Sequence, residues 1–164
     1  MLTFTAARTD DPTAAALLTR YFSEREETFP SAQGTYSVST PDPDRFVPPS
    51  GAFLLAELDG EPVGCGGVRR IDDLQRPNGS PIVQFEVKHL FLSPAARGKG
   101  VGRALLNELE RRARAMGASR LVLDTNESLA AAGNLYRTSG YVTVEPYNDN
   151  PNATHWYAKD VEPA

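Results

Sequence analysis

Residues 90–103 read Leu90-Phe91-Leu92-Ser93-Pro94-Ala95-Ala96-Arg97-Gly98-Lys99-Gly100-Val101-Gly102-Arg103. The stretch begins like a buried strand and breaks at a proline. It then crowds glycines among cations and runs into a helically periodic segment. A strand, a glycine-rich turn and a helix N-terminus together make an anion site, because the first helical N–H groups are unpaired and the helix dipole is positive there. Gly98, Gly100 and Gly102 allow close backbone approach, and Arg97, Lys99 and Arg103 add mobile charge. The nucleoside-triphosphate loop is excluded, since no Ser or Thr follows Lys99 and residue 93 is Ser93. The dinucleotide fingerprint fails at Arg103, where it needs glycine.

Upstream, Ile82-Val83-Gln84-Phe85-Glu86-Val87-Lys88-His89-Leu90-Phe91-Leu92 reads as one long strand. Neither alternating face is purely apolar, which points to a central strand with polar work on one side. Simple alternation places Glu86 with Leu90 and puts His89 on the opposite face. Downstream, Val101, Leu105, Leu109, Ala113 and Met116 keep helical spacing from about Gly100 to Met116, and Gly117 follows as a C-terminal cap.

The remaining elements follow from the same signals. Residues 3–7 suit a first strand. Asp10 or Asp11 caps a helix with Pro12 in its first turn. Ala15, Leu18, Tyr21 or Phe22 and Arg25 fall along one face of that helix, which should end before Pro30. Prolines 30, 41, 43, 48 and 49 keep residues 29–49 irregular, except for one helical turn capped by Asp42. That segment is either a packed surface loop or one wall of a binding site. Asp59-Gly60 between two apolar runs is a hairpin signal. Residues 70–82 read as a polar loop. Ser119–Thr125 suits a short strand, and Asn126 a helix cap for a segment ending at Gly140. Two further strands lie at Tyr141–Glu145 and Thr154–Val161. The whole is α/β (α+β): a mixed sheet with helices packed on it.

The chain has 164 residues, a size that one domain accommodates. Its net charge of -4 argues against broad nucleic-acid binding while leaving room for a local basic pocket. The single cysteine, Cys65, excludes an intrachain disulfide and reads as a buried packing thiol. His89 and His155 lack partners at metal-ligand spacing, so no metal is expected. No membrane-length apolar run and no secretory pattern at the N-terminus are present, and a cytoplasmic location is expected.

Arg97-x-x-Gly100-x-Gly102 after an apolar strand resembles the acetyl-CoA pyrophosphate motif of the GNAT N-acetyltransferases. The segment Asn134-Leu135-Tyr136-Arg137-Thr138-Ser139-Gly140-Tyr141 resembles that family's second cofactor motif. The order of elements is similar over about residues 50–160. The resemblance implies one GNAT-like domain over residues 1–164. Its mostly antiparallel central sheet would be splayed at the cofactor site, with helices on both faces.

The resemblance also implies roles. Leu90, Phe91 and Leu92 would pair with the pantetheine arm, and an N–H near Leu90 would face the thioester oxygen. Arg97, Gly98, Lys99, Gly100, Val101, Gly102 and Arg103 would hold the pyrophosphate, and Asn134 the arm. Tyr136 would protonate the leaving thiolate, its alternative being core packing. Glu86 would be the general base; its alternative is a strand carboxylate paired with an arginine or facing solvent. For His89, core packing is favoured over a base. Apart from the resemblance, Gly133 in mid-helix costs about 1 kcal/mol relative to Ala, and close approach of the cofactor would be one compensation. The implied reaction is acetyl transfer from acetyl-CoA to a primary amine of a small molecule, with the protein a monomer or homodimer. Acetylation of a protein N-terminus or lysine, and a non-catalytic acyl-CoA sensor, are the alternatives.

Overall fold

The computed structural model describes all 164 residues. The first strand, β1 (Leu2–Ala6), pairs antiparallel with β2 (Gly51–Leu58), which pairs in turn with β3 (Glu61–Arg70). The β2–β3 turn is Asp59-Gly60, with positive φ at both residues, 52° and 85°. That is the conformation a type I′ hairpin turn demands. Between β1 and β2 lies α1 (Pro12–Thr28), whose cap is Asp11: its carboxylate accepts from the N–H groups of Thr13 and Ala14. Asp42 likewise caps the short turn Pro43–Phe46.

The segment expected to be a plain polar loop carries a two-strand hairpin, β4 (Leu74–Gln75) with β5 (Pro81–Ile82). The chain then enters β6 (Gln84–Leu92), α2 (Val101–Ala115), β7 (Arg120–Thr125), α3 (Ala130–Thr138), β8 (Val142–Val144) and β9 (His155–Asp160). The main sheet runs β1-β2-β3-β6-β7-β9-β8, and only the β6–β7 pair is parallel. The long strand is therefore central, as its mixed faces suggest.

Two apolar layers sandwich this sheet. Leu105, Leu106 and Leu109 of α2 pack with Leu54, Val68, Phe85, Leu121, Leu123 and the ring of Tyr136 on one face. On the other, Leu17 and Leu18 of α1 pack with Phe46, Phe53, Cys65 and Phe91. Gly67 is needed beneath Phe46, where a Cβ would come within 2.7 Å of the ring. Cys65 is fully enclosed, and burial pushes its thiol up to about 12. No helix is long and apolar enough to cross a membrane.

Asn126 departs from its expected role. The cap position of α3 is Leu129, without a side-chain bond. Asn126 is fully buried; it accepts from the N–H of Ser128 and donates to Gln33 Oε1 and the Asn152 carbonyl. It thus pins the β7–α3 turn to two loops instead of starting a helix.

Candidate active site

The β6–β7 ladder is short. It pairs Gln84 with Arg120, Phe85 with Leu121 and Glu86 with Val122, and stops there although both strands continue. Beyond that point the strands part around a cavity of about 170 Å³. Val87, Lys88, His89 and Leu90 line one side and Asp124 and Thr125 the other. Tyr21, Phe22 and Arg25 of α1 close it from one face, and Leu129 at the cap of α3 with Ala132 and Tyr136 on it close it from the other. Residues 36–41 supply a further wall, so the irregular segment is part of the site. It is held there by a reciprocal pair, Asn152 Oδ1 accepting from the Ser37 N–H at 2.8 Å and Asn152 Nδ2 donating to the Ser37 carbonyl at 2.7 Å.

A bulge shapes the cavity's β6 edge. Lys88 pairs with Gly67 and Phe91 with Cys65, so both His89 and Leu90 face the single residue Gly66. His89 takes φ 57°, the kind of distortion a β-bulge introduces. The extra residue inverts the alternation beyond it. Phe91 now packs on the α1 face, while Leu90 and Leu92 join the α2 layer. His89 turns its ring toward Tyr21, Phe22 and Phe46 on the α1 side. The expected sharing of a face by Glu86 and Leu90 is thereby overturned, as is the placement of His89 opposite Glu86. His89 packs among these rings but is half-buried and forms part of the cavity wall rather than the core. Its burial, with Lys88 and Arg69 nearby, lowers its imidazole to about 3, so it stays neutral at pH 7.

The glycine turn has the anatomy of an anion site. None of the backbone N–H groups from Gly98 through Arg103 donates to a backbone carbonyl, and the first helical bond of α2 is Ala104 N–H to Gly100. Gly98 and Gly100 have φ of 75° and 79°. In that left-handed geometry a Cβ is strained, whereas the open amides point outward. Gly102 sits where a Cβ would meet Leu92 and Leu135 at 3.4 and 3.6 Å, so the helix start is seated on the strand end. Lys99 is exposed. Arg103 reaches across to Ser139 and Thr138 at the end of α3. Arg97 points inward instead: it donates to the Leu92 carbonyl and to the carboxylate of Glu24 on α1.

Tyr136 lies on α3 with its side chain buried at the cavity, and burial raises its phenol well above the usual range. Asn134, two residues earlier, is exposed. Above Gly133 lies the guanidinium of Arg137, 3.1 Å from where a Cβ would stand, and Arg137 continues to the Tyr157 hydroxyl. The space over Gly133 is filled by a side chain of the protein itself.

Glu86 is enclosed. Its Oε1 accepts from Arg69 Nε and Nη2 at 3.0 and 2.9 Å, and its Oε2 accepts from the Tyr147 hydroxyl at 2.7 Å. It is 1% exposed and is absent from the cavity lining. The carboxylate that does line the cavity is Asp124, which accepts from Asn148 Nδ2 at 2.7 Å and Asn150 Nδ2 at 3.1 Å and lies 3.8 Å from Lys88 Nζ. Sequence reading passed over Asp124 and Arg25. The available signals were an acidic residue ending an otherwise apolar strand, and an arginine at a core-facing helical position.

The chain has known likenesses. Residues 16–141 match the acetyltransferase (GNAT) family. An IAA acetyltransferase from Azospirillum brasilense is 37% identical over 106 residues, which cover 65% of this chain. The match spans 64% of that relative's length. A candidate acyl-CoA N-acyltransferase from Klebsiella pneumoniae superposes with a TM-score of 0.72 at 27% identity, covering 98% of this chain and 97% of that one. A GNAT family acetyltransferase from Elizabethkingia anophelis, solved with acetyl-CoA bound, shares the fold with a TM-score of 0.62 at 17% identity and 98% coverage of both chains. The strand that parts from its parallel neighbour, the open amide turn and the match across most of the chain lead to one statement: this chain belongs to the GNAT acetyltransferase family.

Proposed function

We propose that the protein transfers the acetyl group of acetyl-CoA to the primary amine of a small molecule. The observation that carries the reading is the parting of β6 from β7, which opens a cavity lined by Leu90 on the same strand that leads into the turn of open amides. The cradle suits a diphosphate in chemistry: donors without partners, cationic side chains and no carboxylate on residues 97–103. Beyond the last β6–β7 pair, the free edge of β6 through Leu92 offers backbone groups to the pantetheine arm.

In the transfer, the neutral amine attacks the thioester carbonyl carbon, a C–N bond forms, and the C–S bond breaks. The amine loses one proton and the thiolate gains one. An acceptor that arrives as ammonium first releases another to solvent. Deprotonating a primary amine of pKa about 10.4 at pH 7 costs about 4–5 kcal/mol, which favours a site with a nearby carboxylate. Asp124 is the carboxylate in the cavity and is suited to hold the ammonium and pass its proton to water. An N–H near Leu90, on the bulge, is suited to the charge developing on the thioester oxygen. Tyr136 retains its proton and can give it to the thiolate. Glu86 is assigned here as a positioning residue for Arg69 and Tyr147 rather than as the direct base.

Calorimetric titration with acetyl-CoA, followed by thiol release across an amine panel, tests the reading. Binding with turnover supports it, and binding without turnover would make the protein an acyl-CoA sensor. Gly100→Asp, which places a carboxylate among the open amides, should weaken acetyl-CoA at least about tenfold. Unchanged affinity would remove the turn from the site.

A further inference from the structure

Of the cations that line the cavity, two have carboxylate partners. Arg69 is paired with Glu86, and Lys88 with Asp124. Arg25 is different. It is 6% exposed, it forms no ion pair, and its Nη1 has no hydrogen-bond partner. The guanidinium carbon lies 5.0 Å from the ring centroid of Tyr36 and 5.9 Å from that of Phe29. Those rings orient it but cannot neutralise it. A buried charge without a partner is costly, and burial is sustained when a counter-charge completes the site. The sequence makes the cost plain: Arg25 occupies a core-facing position of α1, on the face that carries Leu18, Tyr21 and Phe22.

We propose that Arg25 is the acceptor-carboxylate anchor, and that the acceptor is an amino acid rather than a simple amine. The proposal deepens the acetyl-transfer reading and rests on it. The cavity offers complementary poles. Arg25 presents a planar guanidinium without an ionic partner, and its free Nη1 matches a carboxylate oxygen. Asp124, across the cavity on β7, holds Lys88 only at 3.8 Å and is the carboxylate that an arriving ammonium would share. A zwitterion satisfies both, and a dianion such as a phosphate monoester would meet Asp124 with the wrong sign. The rings of Tyr36 and Phe29 flank the guanidinium and limit its freedom before a carboxylate docks.

The test compares matched acceptors: phenylalanine with phenethylamine and with phenylalaninamide, leucine with isopentylamine, and lysine with cadaverine. Acetyl-CoA binding is measured separately by calorimetry. The carboxylated member of an accepted pair should exceed its partner by about 10–100-fold in kcat/KM, mainly through KM. Arg25→Met should collapse that ratio toward one, and Arg25→Lys should restore part of it. If Arg25→Met does not fold, the wild-type ratios still decide. Equal use of both members, preference for phenylalaninamide, or acceptance of carboxylate-free amines alone would overturn the proposal while leaving acetyl transfer intact. Failure to bind acetyl-CoA would overturn both.

Discussion

Arg97 Nη2 donates to both carboxylate oxygens of Glu24, at 2.6 and 2.8 Å. The arginine of the glycine-turn motif is thus tied to α1 and, through the Leu92 carbonyl, to the end of β6. It braces the turn between two elements that also bound the cavity.

Removing the brace has a distinct signature. Both side chains are partly exposed, and exposed ion pairs of this kind contribute at most about 1 kcal/mol. Glu24→Ala should leave folding nearly intact and free Arg97 for an anion, tightening acetyl-CoA by up to about fivefold. Arg97→Ala should weaken it. Titration calorimetry of the two variants reads both signs, and equal changes in the same direction would contradict a tethered arginine.

For Tyr136, the hydroxyl rather than the ring is at issue. Tyr136→Phe keeps the packing against Tyr141 and Tyr157. It should lower kcat by about 100-fold or more with acetyl-CoA affinity unchanged. Because burial raises the phenol, the wild-type rate should not fall as pH passes the ordinary tyrosine value of about 10. Full turnover by the phenylalanine variant would place the acid elsewhere.

Glu86→Gln separates two roles. A direct base would leave a folded variant whose rate drops most at low pH. The enclosed carboxylate found here predicts something else: Arg69 loses its ionic partner, stability falls by about 1–3 kcal/mol, and the pH–rate profile keeps its shape. Urea unfolding and kcat against pH, taken together, choose between these outcomes.

His89 should govern part of the acid response. Its folded-state value of about 3 lies below the unfolded 6.5, so the unfolded chain binds a proton that the folded chain refuses. Stability is whole above pH 6.5 and is lost as pH falls toward 3, by at most about 1.4 kcal/mol per unit. His89→Phe, placed among Tyr21, Phe22 and Phe46, should flatten that slope. An unaltered slope in acid-unfolding measurements would assign it to the carboxylates.

Much of the fold is legible because it is local. The Asp59-Gly60 turn, the Asp11 and Asp42 caps, and the periodicity of α2 each depend on residues a few positions apart. Asn126 misleads because its amide has distant partners, Gln33 and Asn152, that outcompete a helix cap. The faces of β6 mislead for a related reason. One extra residue at His89 and Leu90 inverts every later side chain, and strict alternation contains no sign of it.

By itself, the sequence determined the anion turn, the strand and helix that flank it, and the family they resemble, since glycine placement and apolar period act over short distances. The tertiary structure alone decided which charges meet. Glu86 is enclosed by Arg69 and Tyr147, Arg97 is drawn to Glu24, and Arg25 is buried without a carboxylate partner. A charge's role depends on what surrounds it, and the surroundings come from chain segments far apart in sequence.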